Sequence, residues 1–228
     1  MIGRIEMRER ALLRGARCAC VFLLVALLAL LMAHVWAQSK PPAIVAAVPA
    51  VVPANAQGVT VSLDPAQSKI NWTLGSTLHT VHGTFTLKRG TLKFDPANGS
   101  ASGEFVADAA SGQSGNDSRD KKMHDEILES GRFGEVIFRP DRVNGKVLAQ
   151  GASSVQLHGT FVLHGGEHEL TVPVQAELNG NRWKGSAKFS VPYIQWGLKS
   201  PNTFFLKADP AVEIELELSG TVQGVAAQ

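Results

Sequence analysis

Between Val59 and Val222, apolar and polar residues alternate with a period of two. In VEIELELS, residues 212–219, Val212, Ile214, Leu216 and Leu218 face one way, and Glu213, Glu215, Glu217 and Ser219 the other. Successive side chains of a β-strand point to opposite faces, so such a run predicts an antiparallel strand with one buried and one wet face. The same alternation runs through Ile70/Trp72/Leu74, Val81/Gly83/Phe85/Leu87 and Ala101/Gly103/Phe105/Ala107. It recurs in Val155/Leu157/Gly159/Phe161/Leu163, Leu170/Val172/Val174/Ala176/Leu178 and Trp183/Gly185/Ala187/Phe189/Val191. Gly165-Gly166 separates two of these runs as a hairpin turn does. An all-β antiparallel meander of about eight strands is expected, and closing it into a barrel removes its exposed edges. The domain is placed at 59–222, with a short tail at 223–228.

Glycine occupies the apolar face at Gly83, Gly103, Gly159 and Gly185, each beside a large residue. Two readings are open: glycine bends strands and balances large side chains in a small barrel, or it leaves internal volume for a ligand. The stretch SGNDSRDKKMHDEILES (114–130) breaks the β pattern. With Asp117 or Ser118 as cap and a stripe of Met123, Ile127 and Leu128, it predicts a short amphipathic helix over 118–130 closing one barrel end.

Upstream of the alternation the pattern changes twice. Arg4, Arg8, Arg10, Arg14 and Arg17 precede an apolar run from Cys18 to Ala33, followed by Val35-Trp36-Ala37. That is the order of a secretory signal peptide, predicted at 1–37 with cleavage before Gln38; an uncleaved anchor is the alternative. Residues 38–58, rich in Ala, Val and Pro, read as a semi-extended linker. A periplasmic or secreted location follows.

Cleavage changes the composition. Cys18 and Cys20 both leave, so no disulfide, thiolate metal site or cysteine nucleophile is expected in the mature chain. Removing five arginines and two glutamates from 22 basic and 20 acidic residues leaves 17 against 18, a net charge of about −1. A nucleic-acid footprint is not expected from such a balance.

Candidate chemistry is sparse. Six histidines follow Ala37, at 79, 82, 124, 158, 164 and 168, without the three- or four-ligand spacing of a zinc site, so no metal and no cofactor are expected. His124 beside Asp125 does not make a base–orienter pair, because neighbours on a helix do not face each other. The chain has no GxSxG elbow, P-loop or GxGxxG. Aromatic residues make up only 7% of the sequence. Four of them, Tyr193, Trp196, Phe204 and Phe205, nevertheless fall in YIQWGLKSPNTFFLK, a segment otherwise composed like a loop. Such rings are expected to line a lumen or to cap its end.

The order of these elements resembles the YceI-like family. The resemblance is carried by LDPAQSKINWTL (63–74), VHGTFTLKRGTLKFDP (81–96), SRDKKMHDEILESGRFGEVIFRP (118–140), LHGTFVLHGGEHELTVPV (157–174) and FSVPYIQWGLKSPNTFFLKADPAVEIELEL (189–218). Its most specific parts are Arg119-Asp120 and the Trp196-Gly197 segment. It implies an exported, lipocalin-like barrel that holds a long isoprenoid or related lipid in its lumen; the lack of a catalytic constellation in the residues adds the expectation that the protein is not an enzyme. Residues expected to contact that ligand are Trp72, Phe85, Phe105, Phe138, Leu157, Phe161, Phe189, Tyr193, Trp196, Phe204 and Phe205, with Arg119 for an anionic head group. The rival reading is a non-enzymatic envelope or stress-response interaction protein with a filled barrel. A homodimer is compatible with either.

Overall fold

Every predicted alternation forms a strand in the computed structural model, which describes residues 58–224. The predicted signal at 1–37, the linker up to 57 and the last four residues lie outside the described residues. The strands are β1 (Val59–Leu63), β2 (Lys69–Leu74), β3 (Val81–Phe94), β4 (Ala101–Gln113) and β5 (Glu135–Asn144). They continue as β6 (Gly151–Leu163), β7 (Gly166–Asn179), β8 (Arg182–Val191) and β9 (Val212–Gln223).

Nine strands occupy eight positions of a closed antiparallel barrel. β4 to β9 pair in sequence order, and β3 closes the ring by pairing with β4. The remaining position, between β3 and β9, is shared. β1 pairs with Thr91–Phe94 and Gly220–Gln223, whereas β2 pairs with Val81–Phe85 and Glu213–Glu217. A 3-10 turn, Pro65–Gln67, divides the two. Proline removes a ladder donor there, and the Asp64 carboxylate accepts from Ala66 N–H at 2.9 Å. The Asp64 N–H still reaches Ser219 O at 2.8 Å, so the course of the chain continues across the interruption.

The inward rows of β2, β6, β8 and β9 carry the apolar residues, and the outward rows carry ion pairs such as Lys188–Glu215 at 2.7 Å and Lys69–Glu217 at 3.5 Å. One hydrophobic cluster extends along the barrel from Val59 and Phe94 to Ile70 and Leu157. A second gathers Leu163, Val191, Tyr193 and Leu198 at the end where the helix lies.

Glycine at Gly83 and Gly159 serves close packing rather than free volume. A Cβ at Gly159 would strike the Arg139 carbonyl and lie 2.7 Å from Pro140 Cα. The β5–β6 register shifts between Pro140 and Arg142, and Gly159 sits beside that bulge. At Gly83 a Cβ would meet Gln113 O and the Trp72 ring. The small residues on the lumen wall include Ala176, Gly185 and Ala187, and a Cβ at Gly185 would meet the Trp183 ring.

The helix is shorter than the expected 118–130. α1 spans Asp117–Lys122 and passes into a π-helical turn, Met123–Ile127. Its cap is Asn116 rather than Asp117 or Ser118: the Asn116 side chain accepts from Arg119 N–H at 3.0 Å. Glu129, at φ 46°, ends the segment by reversing the backbone.

Candidate functional site

The barrel encloses a cavity of about 530 Å³ that reaches from one end to the other. Val61, Phe94 and Val143 bound it at the end where β1 and β9 pair. Phe105, Phe138, Leu157, Phe189 and Ile214 form its middle. Leu74, Met123, Leu128, Leu198 and Leu206 surround it at the helix end. Phe105 stacks on Phe138 at 6.4 Å, and Phe161 meets Phe189 edge to face at 6.5 Å, leaving the space between these pairs open. A filled barrel does not match this interior.

Polar wall groups gather at the helix end, where Ser76, His79, Arg119, Lys122 and Thr203 join the lining. Ser114 fixes Arg119 among them. The Asp120 carboxylate accepts from Ser114 N–H at 2.9 Å and also from the Ser114 hydroxyl. Arg119 Nε donates to Ser114 Oγ at 2.7 Å, and an Nη of Arg119 donates to Ser114 O at 2.9 Å. Burial alone would raise the Asp120 pKa, yet the two hydrogen bonds from Ser114 and the charge of Arg119 together hold it below the ordinary carboxylate value. The Arg-Asp pair therefore clamps α1 to the end of β4 while Met123, Ile127 and Leu128 face the lumen. His124 adds a second tie. Its Nε2–H donates to Gly112 O at 2.9 Å, leaving Nδ1 to accept from the Ser130 hydroxyl at 3.1 Å.

The segment between β8 and β9 covers the same end. Tyr193 is buried, lines the lumen and donates its hydroxyl to Asp209 O at 2.9 Å, so the start of the segment is bonded to its finish. Burial, and then the charge of Asp209, raise its phenol pKa. Gly197, at φ 92°, allows the turn that returns Leu198 N–H to Tyr193 O at 3.0 Å. Lys122 Nζ reaches Pro201 O at 3.4 Å and joins this segment to α1.

Most of the sequence-predicted contact residues meet at one surface. Trp72, Phe85, Phe105, Phe138, Leu157, Phe161, Phe189, Tyr193 and Arg119 all lie on the lumen wall. Trp196, Phe204 and Phe205 do not. Trp196 lies flat on His168, with centroids 4.2 Å apart and rings 2° from parallel, and it backs onto Phe161 at 5.5 Å. That ring packs on side chains of β6 and β7 without lining the lumen. Phe204 and Phe205 point into solvent, 89% and 80% exposed, because they form the corner of a tight turn. Wall residues not singled out from sequence include Phe94, Val143, Trp183 and Leu206. Trp183 stood in a recognised alternation, whereas β5 and the 192–211 segment give no period that marks Val143 or Leu206.

Outside the barrel, Asp141, His158 and Glu169 bring ligand-type atoms within 4.8 Å of one another across β5, β6 and β7. Nδ1 of His158 lies 2.8 Å from Asp141 and Nε2 lies 3.1 Å from Glu169. The hydrogen bond to Asp141 chiefly raises the His158 pKa, with both carboxylate charges adding to it.

The sequence matches the YceI-like domain family over residues 62–220. No curated protein matches the chain. The fold is similar to that of BcnA from Burkholderia cenocepacia, at TM-score 0.57 and 18% identity over 69% of this chain and 98% of that one. It is also similar to a polyisoprenoid binding domain from Saccharophagus degradans implicated in plant cell wall breakdown, at TM-score 0.53 and 16% identity over 72% of this chain and 98% of that one. With a match covering most of the chain, and with the barrel and its Arg-Asp clamp in place, the protein belongs to the YceI-like family.

Proposed function

We propose that this protein is an exported lipid carrier that holds a long isoprenoid-type chain in the barrel lumen. The observation that carries this reading is the continuous apolar cavity of about 530 Å³, walled by aromatic and aliphatic side chains from end to end. The polyisoprenoid binding domain from S. degradans, similar in fold, supports the same ligand class. A buried CH₂ contributes about 0.8 kcal/mol, so ten buried carbons supply roughly 8 kcal/mol before the costs of binding. Such binding needs no catalytic group and is tolerant, since one methylene discriminates by only about 1–3 kcal/mol. Orientation would come from the polar mouth, where Arg119 and Lys122 suit an anionic or strongly polar head group. Export rests on the tripartite N-terminus.

Organic extraction of the purified protein, followed by mass spectrometry, tests the reading. A prenyl-chain lipid in near-stoichiometric amount is the expected result. A protein that yields no lipid, and takes up none when offered prenyl alcohols or quinones, overturns it.

A further inference from the structure

The 192–211 segment ends in a feature that the lumen does not use. Thr203 to Leu206 form a tight turn in which Thr203 N–H donates to Leu206 O at 3.0 Å and Leu206 N–H donates to the Thr203 hydroxyl at 3.2 Å. Thr203 and Leu206 lie on the lumen wall, so the turn is anchored from inside. Its two corner residues, Phe204 and Phe205, are therefore held outward, their rings edge to face at 4.9 Å. Leu78, 66% exposed, belongs to the turn between β2 and β3. That turn is tied to the same segment: Thr77 N–H donates to Lys207 O at 2.9 Å, Lys207 N–H donates to Thr77 Oγ1 at 3.2 Å, and Ser76 pairs with Ala208. The three most exposed large apolar side chains among the described residues thus share one end of the barrel, the end where the lumen meets α1.

Large apolar side chains grouped in water mark a contact surface. The charge around them selects the partner. Within 192–211 the charged residues are Lys199, Lys207 and Asp209. The Asp209 carboxylate lies against Gly75 and Lys199 Nζ stands 3.6 Å from Glu129, whereas Lys207 has no acidic partner among the described residues. The β2–β3 turn, residues 75–80, itself carries no acid. Aromatic rings with flanking lysines suit the boundary between head groups and acyl chains of an anionic bilayer.

We propose that this tip docks onto an anionic membrane surface, with Phe204 and Phe205 entering the head-group region, Leu78 beside them, and Lys199 and Lys207 against lipid phosphates. Docked in this way, the mouth of the lumen faces the bilayer, and a prenyl chain passes between the two without crossing water. The transfer role rests on the carrier reading; the docking itself does not.

Protein from an exporting host is sedimented with extruded vesicles of phosphatidylglycerol and phosphatidylcholine in equal parts. The double variant Phe204→Ser/Phe205→Ser is expected to bind about tenfold more weakly or worse, with an unchanged melting temperature, since neither ring is packed. Lys199→Gln/Lys207→Gln should weaken binding to these vesicles and flatten its salt dependence. A separate variant, Phe205→Trp, reports the site itself: its emission should shift to the blue and be quenched by lipids with brominated acyl chains. Unquenched emission, or equal binding by the double serine variant, overturns the proposal. So does a wild-type dimer that the double variant lacks, if vesicles bind neither. Should the double variant fold poorly, the tryptophan reporter decides alone. Lipid extraction is scored separately, so a protein that carries lipid but ignores vesicles loses docking and keeps the carrier role.

Discussion

Ala187 and Gly159 both belong to inward-facing rows, yet a larger side chain would meet different surroundings at each. Ala187 borders open lumen. Ala187→Phe should therefore fill space that a prenyl chain would occupy: extractable lipid falls sharply while the lipid-free form melts near the wild-type temperature. At Gly159 the first added carbon meets the backbone of β5, so Gly159→Ala should cost about 1–3 kcal/mol of stability with or without ligand. A paired measurement of melting temperature and bound lipid separates the two, and early melting of lipid-free Ala187→Phe would mean that the lumen is packed. Asp120 offers a test by pH. Its folded pKa is lowered, so it contributes stability that is present above the ordinary carboxylate range and lost as pH falls through the folded value. Asp120→Asn should cost about 1 kcal/mol at neutral pH, allowing for solvent screening, and the gap to wild type should close in acid. Thermal melts across pH check this; a gap that stays constant would assign the loss to packing.

At the scale of elements, the β8–β9 segment divides its aromatic residues among three places: Tyr193 on the lumen wall, Trp196 packed on β6 and β7, and Phe204–Phe205 at the tip. Trp196→Ala should therefore lower stability, by about 2 kcal/mol for a half-buried ring, while leaving lipid retention nearly intact. Loss of lipid at unchanged stability would place Trp196 in the binding surface instead. Composition could announce this cluster but could not divide it, because a loop has no period that says which ring faces inward. Strands do have one. The rows through Trp72, Phe85, Phe105, Leu157, Phe161 and Phe189 were legible as inward-facing from alternation alone. Phe138 and Val143 lie on β5, whose run is broken by Pro140 and the adjacent bulge. The helix cap was misplaced by one or two residues because Asn116, Asp117 and Ser118 are all good caps, and only the hydrogen bond from Arg119 N–H distinguishes them. Glycine was ambiguous for a related reason. A missing side chain looks the same in sequence whether the space goes to a ligand or to a neighbouring backbone.

The whole molecule gathers Ser76, His79, Arg119, Lys122 and Thr203 at one end of a lumen lined mainly by aromatic and aliphatic side chains. If the N-terminal segment is a cleaved export signal, intact-mass measurement on protein from an exporting host should give a chain beginning at or near Gln38. Retention of residues 1–37 on membrane-bound material would indicate an anchor. The shared strand position has a further consequence for how the protein is made. β9 lies between β8 and the two short strands β1 and β2, and its last residues pair with the first of β1, Thr60 against Gln223. The opening strands can pair with β3 early, but their other edge stays unpaired until the final strand arrives, so a nascent chain has an unclosed sheet until β9 is complete. Contacts this distant in sequence slow folding, to milliseconds or longer for comparable β-topologies. If the chain is exported, that interval is when a translocation channel could still thread it.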